Sequence, residues 1–283
     1  MSKILDGNLV SKKIIEQTKK QIAELKKKNI IPKFAVILVG NDPASKIYVA
    51  IKEKKARQLG MEILALHFSD DLTNYELTRE IEKLNNDKSI NGIILQLPLP
   101  KQFDSASIIE TISPQKDADV ITSQNLGKLV LAKPELLPPT ASAILEILDF
   151  YKINLARKKI VIVGYGKLVG KPLSILLNNL KVSAAITICD TKTKNLAHFT
   201  EQADIVISAT GVPNLIRADM VKKNSVIIDA GTVKIKDKIV GDVDFKNVSK
   251  KTKFITPSIG GVGPVTVAKL LNNIVILAQK NAK

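Results

Sequence analysis

The 283-residue chain predicts an α/β protein: two α/β domains with a cleft between them, the second built on a doubly wound parallel sheet. Two observations carry this. Short β-branched runs alternate with helical patterns along most of the chain, the signature of parallel strands covered on both faces. Lys159 to Pro172, K-I-V-I-V-G-Y-G-K-L-V-G-K-P, then runs such a strand into a glycine-rich turn and an apolar helix. Gly164 can turn the chain off the strand, Gly166 lets backbone approach a pyrophosphate, and a helix from about Lys167 to Leu180 presents free N–H groups to an anion. The spacing through Gly170, G-x-G-x-x-x-G, is one residue looser than the strict fingerprint, so the flanking strand and helix carry the Rossmann-like reading.

The elements follow in order. Val10, Ile14, Ile22 and Leu25 recur at helical spacing, and Phe34 to Val39 reads as a buried strand ending at Gly40. A helix is expected from Ser45 to Leu59, a strand from Glu62 to Phe68, a helix from Asn74 to Leu84 and a strand from Gly92 to Leu97. A short helix after Asp104 stops at Pro114, and an irregular stretch to Pro139 marks the domain boundary. From Thr140 a helix runs to Tyr151, followed by strands at Lys159 to Val163, Ala185 to Cys189, Ile205 to Ser208 and Val226 to Asp229. The final helix spans Val265 to Gln279. The expected domains are residues 1–139, with the last helix (265–283) packing back on them, and residues 140–264.

Composition excludes several classes. No apolar run approaches the roughly 18 residues that cross a bilayer. The start, M-S-K-I-L-D-G-N-L-V-S-K-K, lacks the apolar segment of a signal peptide, so a cytoplasmic protein with no membrane partner is expected. Cys189 is the single cysteine and His67 and His198 the only histidines, so neither an internal disulfide nor a metal is expected. The formal charge of +16 is nearly all lysine, with arginine only at 57, 79, 157 and 217. These lysines are scattered and not interleaved with aromatics, which argues against nucleic acid as partner and for a solvated surface that steers polyanionic small molecules.

The first domain offers candidate chemistry. In S-K-I-Y-V-A-I-K, Tyr48 and Lys52 stand at i and i+4 and share a helix face. Gln96 is the one polar residue in the apolar run I-I-L-Q-L-P-L-P, so its amide must find partners as a structural bridge or as a group aimed at an active residue. Asp119, in K-D-A-D-V, lies in the irregular region. The bland readings are a solvated lysine face at Lys52, Lys54 and Lys55, and a loop aspartate beside Asp117.

Five ordered motifs go further: Y-V-x-x-K at Tyr48 to Lys52, G-I-I-L-Q-L-P-L-P at Gly92 to Pro100, K-D-A-D at Lys116 to Asp119, V-G-D-V-D at Val240 to Asp244, and G-G-V-G-P-V-T at Gly260 to Thr266. Together they resemble, over nearly the whole chain, the bifunctional methylenetetrahydrofolate dehydrogenase/cyclohydrolases of one-carbon metabolism. The resemblance implies oxidation of methylenetetrahydrofolate with a nicotinamide cofactor, hydrolysis of the methenyl product to formyltetrahydrofolate, and a homodimer through the dinucleotide domain. It implies Lys52 as catalytic lysine, Gln96 as its hydrogen-bonding partner, Tyr48 as the aromatic wall of the folate cleft and Asp119 as acceptor of pterin N–H groups. Gly260, Gly261 and Gly263, with Pro264 in the first helical turn, would let backbone approach the folate. Gly164, Tyr165, Gly166, Asp190, Thr191 and Thr232 would contact the dinucleotide.

The departures from the family pattern cluster on the dinucleotide side. Gly164-Tyr165-Gly166 replaces the usual G-R-S, Asp190 and Thr191 replace histidine and serine, and the proline of P-C-T-P is absent at Ala141. Val120 stands where glycine follows the pterin aspartate, and Ser258-Ile259 where V-P is usual. The family resemblance implies NADP. Asp190, at the end of the second strand of the dinucleotide unit, favours NAD, because a carboxylate accepts the ribose hydroxyls and repels a 2′-phosphate. Two alternatives stay open: a cyclohydrolase without useful dehydrogenase activity, and a non-catalytic dinucleotide or nucleic-acid binder.

Overall fold

The computed structural model describes residues 2–180, 183–235 and 238–281. The chain begins with β1 (Lys3–Ile4), α1 (Gly7–Lys27), β2 (Lys33–Val39), α2 (Pro43–Leu59), β3 (Glu62–Phe68), α3 (Asn74–Asn86) and β4 (Gly92–Leu95). Three helices follow, α4 (Ser105–Thr111), α5 (Ser123–Val130) and α6 (Pro139–Phe150). Then come β5 (Lys159–Val163), α7 (Gly170–Asn179), β6 (Ala185–Cys189), α8 (Leu196–Thr200), β7 (Ile205–Ser208) and β8 (Val226–Asp229). The last elements are β9 (Val233–Ile235), β10 (Lys238–Val240), α9 (Phe245–Val248), β11 (Phe254–Ile255) and α10 (Val262–Asn281).

The chain forms two compact α/β units. One comprises Ile14–Leu137 and the chain from Leu270 on. Its sheet has the order β3-β2-β4, with both pairings parallel. Ala35, Ile37 and Val39 of β2 pack with Leu77, Ile81 and Leu84, the apolar face of α3, and with Ile108 and Ile109 of α4. Thr73 caps α3 through a reciprocal capping box with Glu76, which locks the start of that helix.

The other unit comprises the chain up to Lys13 and Pro138–Lys269. Its six-stranded sheet has the order β1-β11-β8-β7-β5-β6, and every pairing is parallel. The order reverses about β5, so the carboxyl ends of β5 and β7 meet at a topological switch point, where such sheets bind dinucleotides. Val161, Val163, Val206, Ile227 and Ile255 supply one face of its core.

The structure corrects the sequence reading at several places, among them β4, which ends at Leu95 and not at Leu97. Residues before Lys13 belong with the dinucleotide sheet and not with the first domain. The Leu5 N–H donates to the Ile255 carbonyl at 2.8 Å, β1 pairs with β11, and a side chain at Gly7 would lie 1.7 Å from the Gly261 carbonyl oxygen. A two-residue strand carries no periodicity, so its membership is decided only by this distant pairing. The irregular stretch before Pro139 contains α5, whose N-terminus Thr122 caps by accepting from the Asn125 N–H. Finally, α10 starts at Val262, three residues early, and is long and apolar enough by composition to cross a membrane. It is a core helix instead by burial, 61% of its apolar window lying inside the protein, and its residues through Lys269 belong to the dinucleotide unit.

Candidate active site

Helix α2 sets two of the candidate side chains. Asp42 caps it by accepting from the Ser45 N–H at 2.7 Å, Pro43 opens its first turn, and Gly60, at φ 73°, ends it with a left-handed residue. Tyr48 and Lys52 therefore project one turn apart, both half-buried. From the end of β4, Gln96 Oε1 accepts a hydrogen bond from Lys52 Nζ at 3.0 Å. The Gln96 amide nitrogen donates to the Leu97 carbonyl at 2.8 Å, which fixes which end of the amide faces the ammonium. Gln96 is thus both of the things the sequence allowed, a bridge and a partner of the lysine.

The two aspartates of K-D-A-D separate cleanly. Asp117 is buried, and its carboxylate accepts from the Ile121 and Thr122 N–H groups, the Thr122 hydroxyl and the Asn125 amide. It is the residue that holds the loop. Asp119 is half-buried, and no hydrogen bond to its carboxylate occurs among the described residues. Burial pushes its carboxyl up to about 6, opposed by the Lys52 charge and reinforced by Asp117. Burial likewise lowers the Lys52 ammonium from its ordinary value, opposed by Asp119. The carboxylate of Asp119 is thus the charge that opposes the desolvation of Lys52. Val120, next in line, sits at φ 58°, a left-handed conformation that a β-branched residue adopts only under strain. That conformation accounts for the glycine usual at this position.

In the dinucleotide unit, Gly164 leaves β5 at φ 99°, and a side chain there would lie 2.5 Å from the Ala209 carbonyl oxygen. A side chain at Gly170 would lie 1.8 Å from the Gly164 carbonyl oxygen, so this glycine lets α7 pack on the turn. At Gly166 nothing lies within 4 Å of such a side chain, which leaves open space above the turn. These three positions fit a dinucleotide pyrophosphate approaching the start of α7. The helix begins at Gly170 rather than near Lys167, because residues 167–169 continue the turn. Tyr165 is exposed, with Lys171 Nζ 5.3 Å from its ring centroid. Asp190 directly follows β6 and is exposed with Thr191. Its Oδ1 accepts from the Lys192 N–H at 2.9 Å, so it closes its own turn and does not cap α8, which begins after Asn195. Thr232 is half-buried just beyond β8.

The Gly260–Pro264 segment leads into α10 within the same unit. Gly260 has φ 82°, a side chain at Gly261 would lie 2.2 Å from the Pro257 carbonyl oxygen, and Gly263 is open. Pro264 stands third in α10. Sequence reasoning passed over Asp229 and Asp242, both buried, and the hydroxyls of Ser208, Thr210 and Ser258 bonded to them. The signal was the V-G-D-V-D motif, whose carboxylates could not be assigned contacts from spacing.

A parallel sheet with a glycine turn at its switch point on one unit, and on the other a desolvated lysine bridged to a glutamine, define a dinucleotide-dependent enzyme. Comparison with known proteins names the family. The tetrahydrofolate dehydrogenase/cyclohydrolase catalytic domain matches residues 5–119 and the NAD(P)-binding domain of the same family matches residues 138–282. The Lactobacillus gasseri bifunctional protein FolD is 45% identical over 280 residues, covering 99% of each chain. The crystal structure of the Campylobacter jejuni bifunctional enzyme FolD superposes with a TM-score of 0.93 at 42% identity, covering 99% of each chain. The Trypanosoma brucei enzyme, whose structure was determined with NADP and an inhibitor, gives 0.93 at 33% identity, covering 99% of this chain and 98% of its own. The chain belongs to the tetrahydrofolate dehydrogenase/cyclohydrolase family.

Proposed function

We propose that the protein oxidises methylenetetrahydrofolate to the methenyl compound with a nicotinamide cofactor and hydrolyses that product to formyltetrahydrofolate, with Lys52 as the proton-handling group of the second step. The observation that carries this is the Lys52 ammonium, desolvated and donating to Gln96 at 3.0 Å. A bound nicotinamide supplies the hydride acceptor for the first step. The substrate's own nitrogens stabilise the resulting cation, so the chain need only orient the folate, through Asp119 at the pterin and the Tyr48 ring beside it.

Hydrolysis makes the larger demand. A water adding to the methenyl carbon must lose a proton, and a ring nitrogen must gain one as the ring opens. Lys52, shifted toward its neutral amine by burial, takes the first proton and returns it to the leaving nitrogen. Gln96 holds the amine in place for both transfers. Asp119 accepts paired pterin N–H groups in its ionised form.

For the cofactor, the family resemblance favours NADP, and Asp190 favours NAD. The absence of the usual Arg-Ser pair at Tyr165-Gly166 and the exposed carboxylate at the end of β6 support NAD. Gly164, Tyr165, Gly166, Thr191 and Thr232 complete the contact set. We assign the protein to the cytoplasm, as a homodimer through the dinucleotide unit. Support for the dimer is the free edge strand β6, whose Ile188 is 40% exposed. Assay of the purified protein with methylene- and methenyltetrahydrofolate, each with NAD and NADP, tests the reading. Turnover of neither folate would overturn it.

A further inference from the structure

Asp242 is the most anomalous side chain in the dinucleotide unit. It has no exposed surface, and its Oδ1 is a buried polar atom without a hydrogen-bond partner among the described residues. An unpaired carboxylate oxygen in a protein interior is costly, and its retention calls for a reason. The other oxygen is heavily used. Oδ2 accepts from the Ser208 hydroxyl at 2.8 Å, from the Thr210 N–H at 2.6 Å and from the Thr210 hydroxyl at 2.9 Å. Those partners form the segment that leaves the carboxyl end of β7, and the carbonyl between them, that of Ala209, is the atom against which Gly164 turns.

The same carboxylate also touches the segment leaving β8. A side chain at Gly231 would lie 1.9 Å from Oδ1, so the orphan oxygen packs directly on the glycine that precedes Thr232. The arrangement is reciprocal. The Asp229 carboxylate accepts from the Gly231 and Asp242 N–H groups at 3.2 and 3.1 Å, and a side chain at Gly241 would lie 1.9 Å from its Oδ2. Each aspartate is clamped against the glycine near the other, and together they join the end of β7, against which the Gly164 turn packs, to the end of β8, which leads to Thr232.

We propose that Asp242 is a positioning residue for the dinucleotide: through Ser208 and Thr210 it braces the segment beneath the Gly164 turn, and through Gly231 it sets Thr232. This rests on the dinucleotide reading above. Asp242 touches no cofactor atom in this role, and only Oδ2 forms hydrogen bonds. An asparagine with its carbonyl oxygen in that place therefore preserves all three bonds, whereas alanine removes them and leaves a void beside Gly231.

The test uses the full-length protein and exploits its second reaction, which needs no dinucleotide. Calorimetric titration with NADP and NAD is expected to give Asp242→Ala a Kd raised about tenfold or more, the loss of roughly one charge-assisted hydrogen bond. In the same sample cyclohydrolase turnover is expected to stay within about twofold of the parent, and Asp242→Asn to recover most of the affinity. Ser208→Ala removes one of the three bonds and no other bond of that hydroxyl among the described residues, and is expected to fall between parent and Asp242→Ala. Parent-like affinity in Asp242→Ala, equal loss in the Ala and Asn variants, or parallel loss of both activities would each overturn the proposal. A parent that binds neither dinucleotide would instead fail the underlying reading, which keeps the two failures apart.

Discussion

Lys52 and Asp119 shift each other's protonation without touching: no ion pair within 4.0 Å joins them among the described residues, yet each is a principal opponent of the other's burial shift. Burial pushes both toward their neutral forms, and the opposite charge of the partner holds each back. The pair is therefore poised, with the carboxyl at about 6 and the ammonium below its ordinary value. The first predictions follow from this coupling.

Lys52→Met is expected to lower cyclohydrolase turnover about 10²–10⁴-fold, the usual contribution of a positioned acid–base group, with a far smaller effect on hydride transfer. Steady-state rates for both reactions on one preparation check this. Equal loss in both, with folate binding gone, would make the lysine a positioning group.

Cyclohydrolase kcat is expected to rise with pH as Lys52 loses its proton, with the midpoint below the ordinary lysine value of 10.5. Asp119 raises the Lys52 pKa, so removing its charge in Asp119→Asn moves the limb to lower pH. A pH–rate profile at saturating folate measures the direction, and a shift to higher pH would contradict the coupling.

Asp119→Ala is expected to weaken folate binding by about 1.5–3 kcal/mol, the size of a hydrogen bond to a charged group, and to leave dinucleotide binding unchanged. The accepting form is the carboxylate, and its pKa is raised to about 6. Folate KM should therefore climb as pH falls through that value in the parent and stay flat there in Asp119→Asn. Titrations at pH 5 and 8 separate the two.

Gly166→Ala and Gly170→Ala should behave differently although they stand four residues apart. The first points into open space, so the thermal midpoint should hold while dinucleotide affinity drops. The second drives a methyl to 1.8 Å from the Gly164 carbonyl oxygen, so the fold of the unit should be destabilised as well. Thermal unfolding with and without dinucleotide distinguishes them.

Asp190→Ser is expected to move cofactor preference from NAD toward NADP by removing the charge that repels the 2′-phosphate. The ratio of kcat/KM for the two cofactors, parent against variant, measures it. A parent strongly selective for NADP, unchanged by the substitution, would remove Asp190 from the specificity set.

Local composition was enough to place most strands of both sheets. Lys159–Val163, Ile205–Ser208 and Val226–Asp229 are read from their β-branched runs at their observed limits, because local composition and burial agree there, and the half-exposed strands Glu62–Phe68 and Ala185–Cys189 are read at theirs from composition and spacing alone. Tyr48 and Lys52 on one helix face follow from periodicity alone. Tertiary structure decided everything that depends on distant partners: the pairing of β1 with β11, the separation of Asp117 from Asp119, the Lys52–Gln96 bond across 44 residues, and the Asp229–Asp242 clamp. Apart from Asp117, whose partners Ile121, Thr122 and Asn125 lie four to eight residues on, the deciding energy is the satisfaction or desolvation of a polar group by residues distant in the chain, and no local pattern records which residues those are.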